Sequence, residues 1–128
     1  MTQKTSDQDI TGILVCKDLF FTASVTATAR AHDLAMKVCL GPSQLPSALA
    51  SSPGVKAVIV DMNLLDPENP DLWTCLRNAA PRPIVLAGFG SHVDTRRFTA
   101  AQAAGFDHVL PNSAFSGRMV EWLKAWMG

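Results

Sequence analysis

The sequence is poor in the cysteine patterns that mark disulfide-rich and zinc-binding proteins. Its three cysteines, Cys16, Cys39 and Cys75, are an odd number with neither CxxC nor Cys/His spacing, which argues against both classes. We expect all three to be small buried hydrophobic side chains. A redox pair of Cys16 with Cys39 is the alternative, since these two residues lie on strands predicted to be neighbours.

An excess of one charge and a long apolar run are also absent. Eleven basic and eleven acidic residues give a pI near 6.8, so we expect no binding to nucleic acid or to a membrane surface. No apolar stretch approaches the roughly 20 residues that span a bilayer. Residues 1–10 are polar where a secretory signal needs an apolar segment. We therefore interpret 1–11 as a short disordered lead-in and expect a cytoplasmic protein.

Several catalytic motifs are missing as well. The sequence has no Ser/His/Asp order and no P-loop, and Gly88-Phe89-Gly90 is too short for a dinucleotide-binding fingerprint. What the sequence has is 48% hydrophobic residues in 128, which is enough for the core of one domain. We place this single domain at 12–128.

Short apolar runs recur along the chain with a regular spacing. Their starts are about 22 to 26 residues apart, the length of one strand and one crossover helix. The runs are nearly continuous, which is typical of parallel strands covered on both faces. The sequence therefore predicts a three-layer α/β/α fold with a five-stranded parallel sheet in the flavodoxin-like order 2-1-3-4-5 and five helices. The predicted strands are 13–17, 35–40, 57–60, 83–87 and 107–110.

The segments between the runs carry helix signals. Residues 69–71, Asn-Pro-Asp, are typical of a helix start and predict a helix over 70–79, with Trp73 on its more exposed side. Gly105 should end the fourth helix in the left-handed conformation. The inward residues of the 70–79 helix should be Leu72, Cys75 and Leu76. The last helix should pack a stripe against the sheet made of Phe115, Met119, Trp122 and Trp126.

Ser91 and Asp94 have the spacing of a capping box, with Ser91 as the N-cap of the fourth helix. His92 would then stand at a helix N-terminus near the carboxyl edge of the sheet, where it could contact an anion or a partner. The alternative is that His92 is an ordinary surface residue.

Two aspartates follow predicted strands. Asp61 closes the run 57–60, and Asp18 follows the run that begins at residue 13. The carboxyl ends of parallel strands share one rim, where open α/β folds place their chemistry. For Asp61 the alternative is a carboxylate that caps nearby backbone N–H groups, and for Asp18 it is the N-cap of the first helix.

Four segments carry a resemblance to one family: Ile-Leu-Val-Cys-Lys-Asp at 13–18, Ala-Val-Ile-Val-Asp at 57–61, Pro-Ile-Val-Leu-Ala at 83–87, and Ala-Ala-Gly-Phe-Asp-His-Val-Leu-Pro at 103–111. With these segments in this order, the chain from about residue 12 to 127 resembles the receiver domain of two-component response regulators. It is also similar to small stand-alone receiver-like proteins. The resemblance implies a single receiver-like domain.

The resemblance assigns roles to individual residues. Asp61 falls on the phosphoryl acceptor, and Asp18 falls on the second of two metal-binding acids. Asn63 falls on the position whose backbone carbonyl usually binds Mg²⁺. The implied partners are proteins, a histidine kinase or a downstream signalling protein, and the surface of helix four, strand five and helix five would bind such a partner or a second copy of the chain.

The sequence departs from the receiver pattern at three positions. The departures are Lys17 at the first acid, Ala87 or Gly88 at the switch Ser/Thr, and Asn112 or Ser113 at the lysine that neutralises the phosphate. With two carboxylates left, Asp18 and Asp61 would hold Mg²⁺ weakly, and the ammonium group of Lys17 would repel the ion. Lys17 could instead replace the metal by pairing with either aspartate.

Three functions follow from these residues. The first is a phosphorylatable receiver whose only catalysis is self-phosphorylation and dephosphorylation at Asp61. The second, which we favour, is a pseudo-receiver that keeps the fold as a fixed protein-interaction module, because the cations and the hydroxyl group needed for switching are missing. The third is the binding of a small ligand or anion in the crevice beside Asp61.

Overall fold

The computed structural model describes residues 9–128. Its strands are β1 (Gly12–Val15), β2 (Met36–Cys39), β3 (Ala57–Asp61), β4 (Val85–Gly90) and β5 (His108–Pro111). They form one parallel sheet in the order β2-β1-β3-β4-β5. The predicted fold and strand order are confirmed.

Within residues 9–128 there are six α-helices where the sequence predicted five. The predicted last helix is divided because Arg118, which follows Gly117, has a non-helical backbone with φ −132° and ψ 33°. The described residues also include two short 3-10 helices, Pro42–Gln44 and Met62–Leu64. The α-helices are α1 (Leu19–Ala31), α2 (Leu45–Ser51), α3 (Pro70–Ala79), α4 (Thr95–Ala103), α5 (Asn112–Gly117) and α6 (Met119–Met127).

The sheet separates two apolar cores. Successive residues of a strand point to opposite faces, so Ile13 and Val15 enter the core under α2, α3 and α4, whereas Leu14 enters the core under α1, α5 and α6. Every residue of β1 and β3 is buried. This burial on both faces is the reason why these strands are continuous apolar runs in the sequence.

The three cysteines are free thiols. Cys16 and Cys39 are buried as predicted, but Cys75 is exposed, so the prediction is wrong for this residue. The redox alternative is also wrong, because Cys16 belongs to the core under α1 and Cys39 to the core on the other face of the sheet. Cys39 pairs with Val15, the residue before Cys16, and the two thiols lie on opposite faces of the sheet.

Helix α3 has the predicted bounds but a different buried face. Trp73, predicted to be more exposed, is fully buried, and its Nε1 donates a hydrogen bond to the Asp66 carbonyl at 2.8 Å. The buried face of α3 also carries Arg77, a charged residue. The prediction for Trp73 is therefore wrong. A charged residue can lie on the same buried face because Asp107, which is distant in sequence, neutralises Arg77.

Arg77 is buried by a set of hydrogen bonds. Its Nη1 pairs with Asp107 at 2.8 Å, and its Nη2 donates to the carbonyls of Ala80 and Ile84 at 2.8 and 2.7 Å. Asp107 also accepts the backbone N–H of Leu86 at 2.9 Å. Burial alone would raise the pKa of Asp107, but the Leu86 N–H and the Arg77 guanidinium outweigh it and hold this pKa below its ordinary value. The pair ties α3 to β4 and β5.

The start of α4 differs from the prediction and its end agrees with it. Asp94, not Ser91, is the N-cap, and its Oδ1 accepts the backbone N–H of Arg97 at 3.3 Å. Ser91 contributes only its carbonyl, which accepts the Asp94 N–H in a turn. Gly105 has φ +85°, so the predicted left-handed helix end is confirmed.

The ordered fold begins before residue 12. Ile10 is buried, and Thr11 donates its N–H to Ala35 and accepts the N–H of Lys56 through its carbonyl. The rest of the predicted lead-in, residues 1–8, lies outside the described residues. From residue 9 onward, no helix combines the length and the hydropathy needed to cross a membrane.

Candidate functional site

Asp61 is a buried carboxylate at the carboxyl end of β3, with 7% of its surface exposed. Its Oδ1 accepts the backbone N–H of Asn63 at 3.0 Å, so it caps the following 3-10 helix. Its Oδ2 lies 3.8 Å from the Cys16 thiol, within the range of a weak S–H hydrogen bond. The predicted capping role is confirmed, and the side chain also lies at the predicted rim.

The electrostatic setting of Asp61 shifts its pKa upward. Burial raises the pKa of Asp61 above its ordinary value, and hydrogen bonds from Asn63 and Cys16 offset this only in part. The nearby charge of Asp18 raises the pKa further, whereas the charge of Arg97 lowers it. Within residues 9–128, Asp61 forms no ion pair.

Asp18 lies within electrostatic range of Asp61, but neither Asp18 nor Lys17 is bonded to it. Asp18 is exposed and accepts the backbone N–H of Phe21 at 2.9 Å, so its predicted role as the N-cap of α1 is confirmed. Lys17 is exposed, and in the described part of the chain it makes no ion pair. The predicted pairing of Lys17 with either aspartate is therefore wrong for this structure.

The residue that β1 brings to Asp61 is Cys16. Val15 pairs with Val60 in the ladder, so the next residue of each chain segment lies at the same level. Cys16 is fully buried, and burial raises the pKa of its thiol. Lys17, the next residue, is exposed. A neutral thiol therefore lies beside Asp61.

On the other side, β4 brings an aromatic ring to the level of Asp61. Asp61 pairs with Phe89, whereas Ala87, assigned to the switch position, pairs with Ile59 two residues earlier. Phe89 is buried at 2% exposure. The side chain beside Asp61 on this strand therefore carries no hydroxyl group.

Phe89 is part of an aromatic stack that runs from the rim to the last helix. Its ring stacks on Phe21 at 4.5 Å and on Phe115 at 5.1 Å between centroids. Phe115 continues to Trp126 at 6.1 Å, and Trp126 to Trp122 at 5.3 Å. The predicted inward stripe of the last helix is thus confirmed for Phe115, Met119 and Trp126, and Trp122 is only partly buried.

The basic residue that acts on Asp61 is Arg97, which the sequence analysis missed. Asn112, assigned to the lysine position, begins α5 directly after β5. Arg97 lies on α4, where its Nε donates to the Leu65 carbonyl at 2.9 Å and its Nη1 pairs with Asp94 at 2.7 Å. No local signal identifies Arg97, because its contact with Leu65 joins residues 32 positions apart.

His92 and the proposed metal ligands are the remaining predicted site residues. His92 is exposed in the turn before α4, two residues ahead of the N-cap rather than in the helix start. In the described part of the chain, no group of three or more His, Cys, Asp or Glu side chains could hold a metal ion. Asp18 and Asp61 each use one carboxylate oxygen in a capping bond. Magnesium binding by Asp18 and Asp61 therefore stays a prediction, and waters would have to supply most of the near-octahedral oxygen ligands.

No protein-family model matches the chain, and no curated protein sequence does. Solved structures match it in fold. A response regulator from Thermotoga maritima has a TM-score of 0.74 and 15% identity, covering 92% of this chain and 97% of the other. A CheY-like protein from Pseudomonas aeruginosa has a TM-score of 0.66 and 14% identity, covering 93% and 94%.

A third match is a chain of the co-crystal structure of a Saccharomyces cerevisiae histidine phosphotransfer signaling protein with the receiver domain of its downstream response regulator. Its TM-score is 0.71 and its identity is 11%, covering 94% of this chain and 90% of the other. The predicted resemblance is confirmed at the level of the fold. The chain has the fold of a response regulator receiver domain.

Proposed function

We propose that this chain is a pseudo-receiver: a signalling module with the receiver fold that binds a protein partner in one fixed conformation, without relying on phosphorylation of Asp61. The observation that carries the proposal is the surroundings of Asp61, a buried carboxylate between the thiol of Cys16 and the ring of Phe89. Neither of these two neighbours supplies an oxygen ligand for a metal ion, and the one on β4 carries no hydroxyl group.

The chemistry of phosphoryl transfer supports this proposal. An aspartate that accepts a phosphoryl group needs in-line access and cations that neutralise the developing charge. Asp61 is 7% exposed, one of its oxygens is held by Asn63, and burial raises its pKa. The cation within electrostatic range, Arg97, is already bonded to Asp94 and Leu65.

The contacts of Phe89 support a fixed conformation. In a switching receiver, a hydroxyl group on β4 would move to form a hydrogen bond with the phosphoryl group on the aspartate. Phe89 cannot make this bond, and its ring is packed between Phe21 and Phe115. Rotating the ring away would break two stacked contacts, each worth about 0.5–1.5 kcal/mol. The pair of contacts favours one state.

Exposed apolar side chains support a role in protein binding. Among residues 9–128, the large hydrophobic side chains that are exposed are Leu19, Phe20, Leu40 and Val93, at 81%, 91%, 56% and 72%. All four follow the carboxyl ends of strands, so they lie on the rim that surrounds Asp61. Adjacent exposed apolar residues such as Leu19 and Phe20 would add apolar area to an interaction surface at this rim. The homodimer through α4, β5 and the last helix stays a prediction.

Incubation with acetyl phosphate and Mg²⁺ tests the proposal. We expect no gain of a phosphoryl group by intact mass, and no change in tryptophan fluorescence with beryllium fluoride, because the two side chains beside Asp61 supply no oxygen ligand for a metal ion. A receiver that is phosphorylated under the same conditions is the positive control. Phosphorylation of the parent but not of Asp61→Asn, together with a fluorescence change, would contradict the proposal.

A further inference from the structure

Arg97 joins the two connections that frame the Asp61 rim. One connection follows β3 and contains Leu65, whose carbonyl accepts the Arg97 Nε at 2.9 Å. The other follows β4 and ends at Asp94, whose carboxylate accepts the Arg97 Nη1 at 2.7 Å. Asp94 also accepts the Arg97 backbone N–H, so both ends of this residue are held. A single guanidinium therefore spans the gap between the two connections.

The position of Arg97 makes these bonds stronger than ordinary surface contacts. The side chains of Arg97 and Asp94 are 27% and 20% exposed, so water screens their charges only in part. Arg96 also reaches across, to Glu68, but those side chains are 64% and 72% exposed. Of the two bridges, we expect the one made by Arg97 to hold the rim.

Arginine suits this position better than lysine. Its planar guanidinium presents several N–H donors in fixed directions, so it can bond a carbonyl and a carboxylate at once. An ammonium group is a compact charge and would pair with Asp94 without reaching Leu65 in the same geometry. The bridge consequently depends on the shape of the guanidinium as well as on its charge.

We propose that Arg97 is a latch that holds the connection after β3 against the start of α4 and thereby keeps the rim around Asp61 in one conformation. The latch rests on the proposed function, because a module that acts without phosphorylation needs another device to fix its rim. The charge of Arg97 has a second effect: its hydrogen bond to Asp94, with its charge, holds the pKa of Asp94 below the ordinary value. The ionised partner of the latch is thus present at neutral pH.

Native-state amide hydrogen exchange tests the latch. The reporters are the amides of Asn63, Leu65 and Phe98, which are bonded to Asp61, Met62 and Asp94 in the two connections. In Arg97→Met we expect these amides to exchange roughly tenfold faster or more, because local opening no longer breaks the bridge. Amides of β1 should change only as far as global stability changes.

Two further variants make the test specific. Arg96→Met removes the neighbouring, exposed bridge and should change exchange at the same amides by less than about twofold. Arg97→Lys keeps the charge and should give an intermediate increase, because one of the two bonds is lost. Equal effects of Arg96→Met and Arg97→Met, or no local change in Arg97→Met, would overturn the latch.

The outcomes separate the latch from the proposed function. If Arg97→Met does not fold, Asp94→Asn replaces it, since asparagine keeps the helix cap and loses the ion pair. Faster exchange confined to the two connections in that variant supports the latch, and unchanged exchange contradicts it. Phosphorylation of Asp61 would contradict the proposed function alone, because the exchange measurement does not depend on a phosphoryl group.

Discussion

Replacing Asp61 by asparagine should stabilise the protein at neutral pH. The carboxyl is 7% exposed, and the donors that reach it are the Asn63 N–H and the weakly bonding thiol of Cys16. Asparagine has the same shape, keeps an oxygen for the Asn63 N–H and carries no charge. The variant therefore removes the cost of burying an ionised group.

The size of the gain follows from how well the charge is compensated. Burying a polar group without full compensation costs about 1–3 kcal/mol. We expect a gain of about 1 kcal/mol, the lower end, because Asn63 still donates to the carboxylate and the charge of Arg97 lies within range. For a domain of this size, such a gain raises Tm by about 3–6 °C.

The pH dependence has a definite sign. Burial raises the pKa of Asp61 in the folded state above the value in the unfolded chain. Below the unfolded pKa, near 3.9, the carboxyl is neutral in both states, so parent and variant should differ little in charge cost. As pH rises through the folded pKa, the parent should lose stability relative to Asp61→Asn.

Urea unfolding followed by tryptophan fluorescence, at several pH values between about 4 and 8, measures this difference. Asp18→Asn is the matched control, because Asp18 is exposed and asparagine caps a helix about equally well; its effect should stay within about 0.5 kcal/mol. A loss of stability in Asp61→Asn at neutral pH, or a difference that does not grow with pH, would refute the reasoning.

Two other substitutions test the frame that holds the site. Asp107→Asn should lower the free energy of unfolding by about 2 kcal/mol, because Arg77 would stay buried without its charge partner. Since the pKa of Asp107 is held low, the stability that the ionised Asp107 contributes should persist at neutral pH and disappear as pH falls through its folded-state pKa. Urea unfolding at several pH values measures the size and the pH dependence of this contribution, with Glu121→Gln at an exposed position as the control. Gly105→Ala should cost about 1 kcal/mol at φ +85°, measured by thermal unfolding. The cost would be conformational, because an added Cβ at residue 105 would lie at an ordinary 3.7 Å from Arg77. Gly41→Ala is the control, since Gly41 has an extended backbone and open space around it; an equal loss of stability in that variant would contradict the conformational cause.

Features of the fold that depend on neighbouring residues could be predicted from the sequence. Helix α3 begins and ends where the Asn-Pro-Asp start predicts, and the strand order follows from the spacing of the apolar runs. Strand β4 continues to Gly90, beyond its predicted end at 87. Residue 88 in this strand is a glycine, and Met62 occupies the space that a side chain would need. The Met62 Sδ would lie 2.8 Å from an added Cβ. That contact has no local signal.

The candidate site could be predicted only in part. Asp61 and Asp18 follow strands and were found from their position in the sequence. The sequence could not show that Cys16, and not Lys17, lies beside Asp61, because this depends on the register between β1 and β3. Arg97 was missed because its partner Leu65 is distant in sequence. Charges on helices therefore have to be judged from three-dimensional contacts, as Arg77 on α3 also illustrates.

The division of the interior by the sheet has a consequence for how this protein can change over time. Substitutions under α2 and α3 touch a different set of side chains from those under α1 and α6. Residues without shared partners affect stability nearly independently. One side of the molecule can therefore accumulate replacements while the other, which packs the rings beneath Asp61, keeps its composition, so the two halves are free to diverge at different speeds.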